Sequence, residues 1–214
     1  MSEQKEHHIL NKAKLTQMVR HALKSDKAEL VEHNVRLAAP KGEGYSSEVN
    51  KVDMTVKVGD KDHKLSWMAK TVLEGDSYMP REAMKCLHME EKEIGMYTKI
   101  IPEWKRIIEE RRVDMKLNFG DIYYTEDTDV EMGSIIAMQN LNTLGYGAAI
   151  NKKKGLSPKH VRLALDEMAK YHALGYAWMK KYPGGPEQAL RDEEVGIYVF
   201  VVYSAVPNIM TIVD

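Results

Sequence analysis

The apolar positions change period along the chain, and the changes mark its elements. Between Leu10 and Leu23, the residues Leu15, Met18, Val19, Ala22 and Leu23 recur at helical spacing, which predicts an amphipathic helix. Pro40, Gly42 and Gly44 mark a loop. The period then drops to two: Val52, Met54, Val56 and Val58 alternate with Lys51, Asp53, Thr55 and Lys57, as in a half-buried strand. Turn residues from Gly59 to Asp62 lead to a second strand over Lys64–Val72, so the pair reads as an antiparallel hairpin. Beyond Pro80 the pattern is helical to about Ile101, where Pro102 punctuates it, and a further helix follows from Glu103 to Arg112. Two more strands are predicted over 116–124 and 133–138, around the acidic turn Glu126–Asp129. Ser157-Pro158 opens a last helix that carries Val161, Leu165, Met168 and His172 on one face. The order helix, hairpin, long helix, hairpin, helix is an α+β arrangement.

Composition narrows the picture little. With 31 basic and 32 acidic side chains in 214 residues, no global field steers the chain to nucleic acid or to an anionic membrane. The polar residues Met1–Lys5 do not form a secretory signal, and the single cysteine, Cys86, has no internal partner, which favours a reducing, cytoplasmic setting. From Gly196 to Val213 the chain carries no charge and is rich in Val, Ile and Tyr. Two short strands around Pro207-Asn208, a surface for homo-oligomer formation, and a tail anchor are the readings of this stretch; its β-rich composition favours the strands over a membrane crossing.

Few residues invite chemistry. Alternation puts Lys70 on the strand face of Met68 and Val72, opposite Trp67, Ala69 and Thr71, so its ammonium rises from a partly apolar surface. Such a lysine either holds an anion or runs along the surface to water. Glu93 lies in a helical row with Met89 and Tyr97; it either interrupts an apolar stripe or belongs to a solvated face with Glu90 and Glu91. Gly42-Glu43-Gly44-Tyr45-Ser46-Ser47 could bring backbone amides to a phosphate, or be only a loop. A strand lysine with a glutamate on the following helix is the pair a kinase uses to hold nucleotide phosphates. His172 reads as a core histidine, Tyr123 and Tyr124 as packing residues, and His7 and His8 as part of a loose terminus.

In order, Gly42 to Ser47, Ala69-Lys70-Thr71, Glu93-Ile94-Gly95-Met96-Tyr97, Ile101-Pro102, Gly145-Tyr146, Lys154-Gly155-Leu156, His160 and Met168 to Ala173 resemble the ecdysteroid-kinase-like family over roughly residues 40 to 175. The resemblance implies a protein-kinase-like N-lobe, a small antiparallel sheet plus a long helix, followed by the first helices of an incomplete C-lobe. It implies phosphorylation of hydroxyls on small lipophilic molecules with ATP and magnesium. Gly44, Ser46 and Ser47 would cover the phosphates, Lys70 would contact them, Glu93 would orient Lys70, and Gln139, Asn140 and Leu141 would form the hinge beside the adenine.

The chain departs from the family pattern at the hinge, where Gln139-Asn140-Leu141 replaces the usual Glu-Asp-Leu, and at Asn151-Lys152, where Asp-Arg is common. No His-Gly-Asp loop or later metal-binding aspartate follows His172. The expectation is a truncated or degenerate small-molecule kinase that lacks catalysis but can bind nucleotide; the alternatives are a binding protein for a lipophilic molecule and a self-associating module. The expected division is a helical segment over 1–39, an N-lobe over 40–141, partial C-lobe helices over 142–195 and a β-prone tail over 196–214.

Overall fold

The first helix is set by its ends. In the computed structural model, which describes residues 7–38, 47–72, 89–127, 133–147, 155–185, 188 and 211–212, α1 spans Lys12–Leu23. The Asn11 side chain accepts from the Lys14 N–H, and Lys24 closes the helix at φ 50°, its N–H and that of Ser25 returning to the carbonyls of the last turn. The residues buried along α1 are Leu15, Met18 and Val19; of the other two in the helically spaced set, Ala22 is partly buried and Leu23 is exposed.

Five strands follow: β1 (Glu29–Leu37), β2 (Ser47–Val58), β3 (Lys61–Val72), β4 (Ile122–Glu126) and β5 (Ile135–Gln139). They form one antiparallel sheet in the order β1-β2-β3-β5-β4. Alternation along β2 is clean, with Asn50, Val52, Met54 and Val56 buried between less buried neighbours. Gly59 turns the β2–β3 hairpin at φ 62°, a backbone region that glycine enters without steric cost. One face of the sheet meets α1 through Val52, Met54, Val56, Trp67, Ala69, Tyr124, Ile135 and Ala137. Tyr123 stacks on Trp67 at 5.1 Å between ring centroids, a packing role as expected.

Strand β1 was not predicted, and it lies within the stretch 1–39 read as helical. Its pairing with β2 slips between Leu30 and Glu32, so the bulge residue Val31 breaks the alternation that would have announced a strand. The other hairpin begins later than its pattern suggests: 116–121 is not strand, and pairing starts at Ile122 and Ile135.

The second helical region runs without a break. Helix α2 (Met89–Gly95) passes through a π-helical turn at Met96–Ile100 into α3 (Ile101–Arg111). Pro102 does not end the helix, contrary to the pattern. The Ile101 N–H reaches five residues back to the Met96 carbonyl, and the widened turn accommodates the missing N–H and the ring of the proline. After a 3-10 turn at Leu141–Leu144, β6 (Tyr146–Gly147) pairs with β7 (Thr211–Ile212), and α4 spans Pro158–Lys181 behind its Ser157 cap. The remainder of the apolar tail lies outside the described residues.

Two compact units emerge: Met1–Leu87 with Gly120–Thr143, and His88–Phe119 with Leu144–Asp214. The second has its own core, in which Met96, Ile100, Ile101, Trp104 and Ile107 meet Leu174, flanked by Tyr171, Ala177 and Trp178. This face of α4 is not the one read from the sequence. Val161, Leu165 and His172 are exposed, because Tyr171, Leu174 and Trp178, at i, i+3 and i+7, present more area to α3.

Candidate functional site

The sheet fixes the first unit's candidates. Lys70 sits on β3, half-buried, opposite Val49 of β2 and Ile136 of β5. Trp67, Ala69 and Thr71 face the α1 core as alternation requires, so Lys70, Met68 and the nearly inaccessible Ile136 share the other face. In the same ladder Trp67 pairs with Gln139, which puts Gln139, the first residue of the expected hinge, one strand over and three residues along from Lys70.

Both polar side chains of the expected hinge, Gln139 and Asn140, are engaged by the protein. The Gln139 N–H donates to the Asp121 carbonyl at 2.8 Å, and its Oε1 accepts from the Asp121 N–H at 3.3 Å. Asn140 is buried; its Nδ2 donates to Ser66 Oγ at 2.9 Å, and Ser66 donates to Asp53 Oδ1 at 2.6 Å. Asp53 also faces Lys51 at 3.3 Å and Arg36 at 3.6 Å. Desolvation pushes its carboxyl up, and the hydrogen bonds from Ser66 and Lys51, with the charges of Lys51 and Arg36, outweigh it and leave the group below its ordinary value. Leu141 packs near Gly120, where a Cβ would stand 3.5 Å from its side chain.

Gly44 and Ser46 lie outside the described residues, as do Cys86 and Asn151-Lys152. Ser47 opens β2 and pairs with Val72. With β1 in place, the glycine-containing stretch is the connection between the first two strands. His7, read from the sequence as part of a loose terminus, is instead held in place. His7 Nδ1 accepts from the Leu10 N–H at 3.1 Å, so the ring proton lies on Nε2 and donates to Glu48 Oε1 at 3.2 Å. Asn50 donates to the same oxygen at 3.2 Å. The segment before α1 is thereby tied to the strand that follows the loop. No period or motif could reveal this, since His7 and Glu48 are 41 residues apart.

Glu93 belongs to the second unit. It lies on α2 one turn from Tyr97, whose phenol is pushed up to about 12, first by burial and then by the Glu93 charge. Tyr171 is likewise pushed up to about 12 by burial, Glu167 and Tyr97. Phe119 stacks on Tyr171 at 4.9 Å. Glu167 Oε1 accepts from Asn118 at 2.7 Å and from Lys170 at 2.6 Å. Among the described residues no three His, Cys, Asp or Glu side chains are grouped to hold a metal ion, and no helix is long and apolar enough to cross a membrane.

A family profile described as the ecdysteroid kinase-like family matches residues 41–192, more than half of the chain. Comparison with curated proteins and with solved structures returned no match. The matched range contains β2, Lys70 of β3, Glu93, residues 139–141 and α4. This chain belongs to the ecdysteroid kinase-like family.

Proposed function

We propose that the chain is a small-molecule kinase relative that binds ATP along the Lys70 face of its sheet. The observation that carries this reading is the β3–β5 register. Lys70 and the first hinge residue, Gln139, are on adjacent strands, offset by three residues or roughly 10 Å along the strand, about the length of a nucleoside. Main-chain groups of Gln139–Leu141 other than the Gln139 N–H and the Asn140 carbonyl, which Asp121 and Thr143 engage, would hold the base, Lys70 would meet the phosphates, and the stretch containing Gly44 and Ser46, with Ser47 at its end, would cover them. Magnesium accompanies ATP in this reading; the described residues offer it no ligand cluster, and no step is assigned through it.

The test is thermal unfolding with millimolar ATP and magnesium. At a hundredfold excess over Kd the folded state gains about 2.7 kcal/mol, a shift of several degrees. Lys70→Ala is expected to remove most of that shift while leaving the unliganded midpoint nearly unchanged. The absence of any shift in the wild-type protein would overturn the reading.

A further inference from the structure

The hydrogen-bond direction from the hinge to β2 is fixed by a count of protons. The Ser66 hydroxyl has one proton, and Asp53, ionised between Lys51 and Arg36, is an acceptor only, so that proton goes to Asp53 Oδ1 at 2.6 Å. Ser66 Oγ can then only accept from residue 140. The Asn140 amide meets this demand, donating at 2.9 Å. A carboxylate at 140 would leave two acceptors facing one proton in a part-buried contact.

Asn140 also holds the chain that follows it. Its Oδ1 accepts from the Asn142 N–H at 3.2 Å, and its carbonyl accepts from the Thr143 N–H at 3.0 Å and hydroxyl at 2.7 Å. One buried residue thus fixes the 3-10 turn Leu141–Leu144 to the middle of the sheet.

We propose that Asn140 is a positioning residue that pins the hinge through Ser66 to Asp53, with no contact to the nucleotide from its side chain, and that the amide at 140 and the carboxylate at 53 form one interdependent pair. The word hinge here rests on the ATP-binding reading; the pin itself does not. The pair explains the local chemistry of Gln139-Asn140-Leu141: the carboxylate serving this corner of the sheet stands at Asp53, so the hinge position is an amide. Exchanging the two keeps the proton count, because an amide at position 53 would donate to Ser66, and Ser66 would donate to a carboxylate at position 140.

The experiment is a cycle of Asn140→Asp, Asp53→Asn and both together, in the full chain and again with Ser66→Ala. Three readouts are followed: thermal midpoint, amide exchange at Asn142 and Thr143, and affinity for mant-ATP with magnesium. Asn140→Asp is expected to lower the midpoint by about 3–8 °C and to speed exchange at both amides. Asp53→Asn alone is nearly neutral or mildly destabilising, yet added to Asn140→Asp it restores most of the midpoint and the protection. If Asn140→Asp fails to fold, recovery of folded protein in the double variant is the same result. With Ser66→Ala the rescue disappears. A pinned hinge also predicts that Asn140→Asp weakens mant-ATP roughly tenfold and that the double variant recovers it, as when the competent state falls to a tenth of the population. Additive midpoints, or exchange at Asn142 and Thr143 that ignores the cycle, would sink the pin while leaving ATP binding intact. Coupled midpoints with unchanged mant-ATP affinity would reduce Asn140 to a structural residue and overturn the positioning role. If the wild-type chain ignores mant-ATP, the nucleotide reading fails, and the midpoints and exchange still decide the pin.

Discussion

Tyr97 and Tyr171 hold their protons where free phenols have released them. Burial raises both from the ordinary value of 10.0 to about 12. Their contribution to stability is complete below pH 10 and is lost as the pH rises toward 12, because the unfolded chain ionises first. Midpoints measured across that range, with phenolate absorbance followed in parallel, should fall more steeply for the wild-type protein than for Tyr97→Phe. Glu93→Gln should lower the Tyr97 value only slightly, since burial is the larger cause. A second prediction concerns Glu126, whose carboxylate takes Lys14 Nζ on both oxygens at 2.9 Å and also accepts from the Tyr124 hydroxyl. Replacing it with Ala strands a half-buried ammonium and should cost about 2 kcal/mol in urea unfolding. At this scale the sequence was readable where a period applies: alternation put Lys70 on the correct side of its strand. It was silent where the partner is distant, as for Asn140 and Ser66, which are 74 residues apart.

Elements were legible in proportion to the regularity of their local geometry. β2 announced itself because every second side chain meets the core, whereas β1 did not, because one extra residue at Val31 throws the two halves of its pattern out of phase. The same principle operates at Pro102. A row of residues extrapolated along an ideal helix is misplaced once it crosses Met96–Ile100, where the turn contains an additional residue. Deleting Thr98 should therefore convert the π turn to α-helix and rotate Glu93 and Tyr97 by about 100° relative to Trp104. Helix content by circular dichroism should hold, while the Tyr97 titration falls from about 12 toward 10.0. An unchanged Tyr97 titration in the deletion variant would show that the turn does not set the direction of the residues before it.

At the scale of the molecule, the chain passes between the two compact units three times, at 87/88, 119/120 and 143/144. A fragment ending at Thr143 contains the whole five-stranded sheet, but Trp104 and Ile107 lose Leu174, Tyr171 and Trp178. Such a fragment is expected to bind a hydrophobic dye strongly, and the full chain weakly. The sequence suggested units laid end to end, because linear patterns carry no record of which distant segments pack together. Strand order has a further consequence during synthesis. β5 lies between β3 and β4, so the inner edge of β3 stays without its neighbour from the emergence of Thr71 until Ile135 has been made. A ribosome adding about 5–20 residues per second leaves that edge open for some seconds, so nascent chains stalled within 73–134 are the ones expected to recruit chaperones or to aggregate.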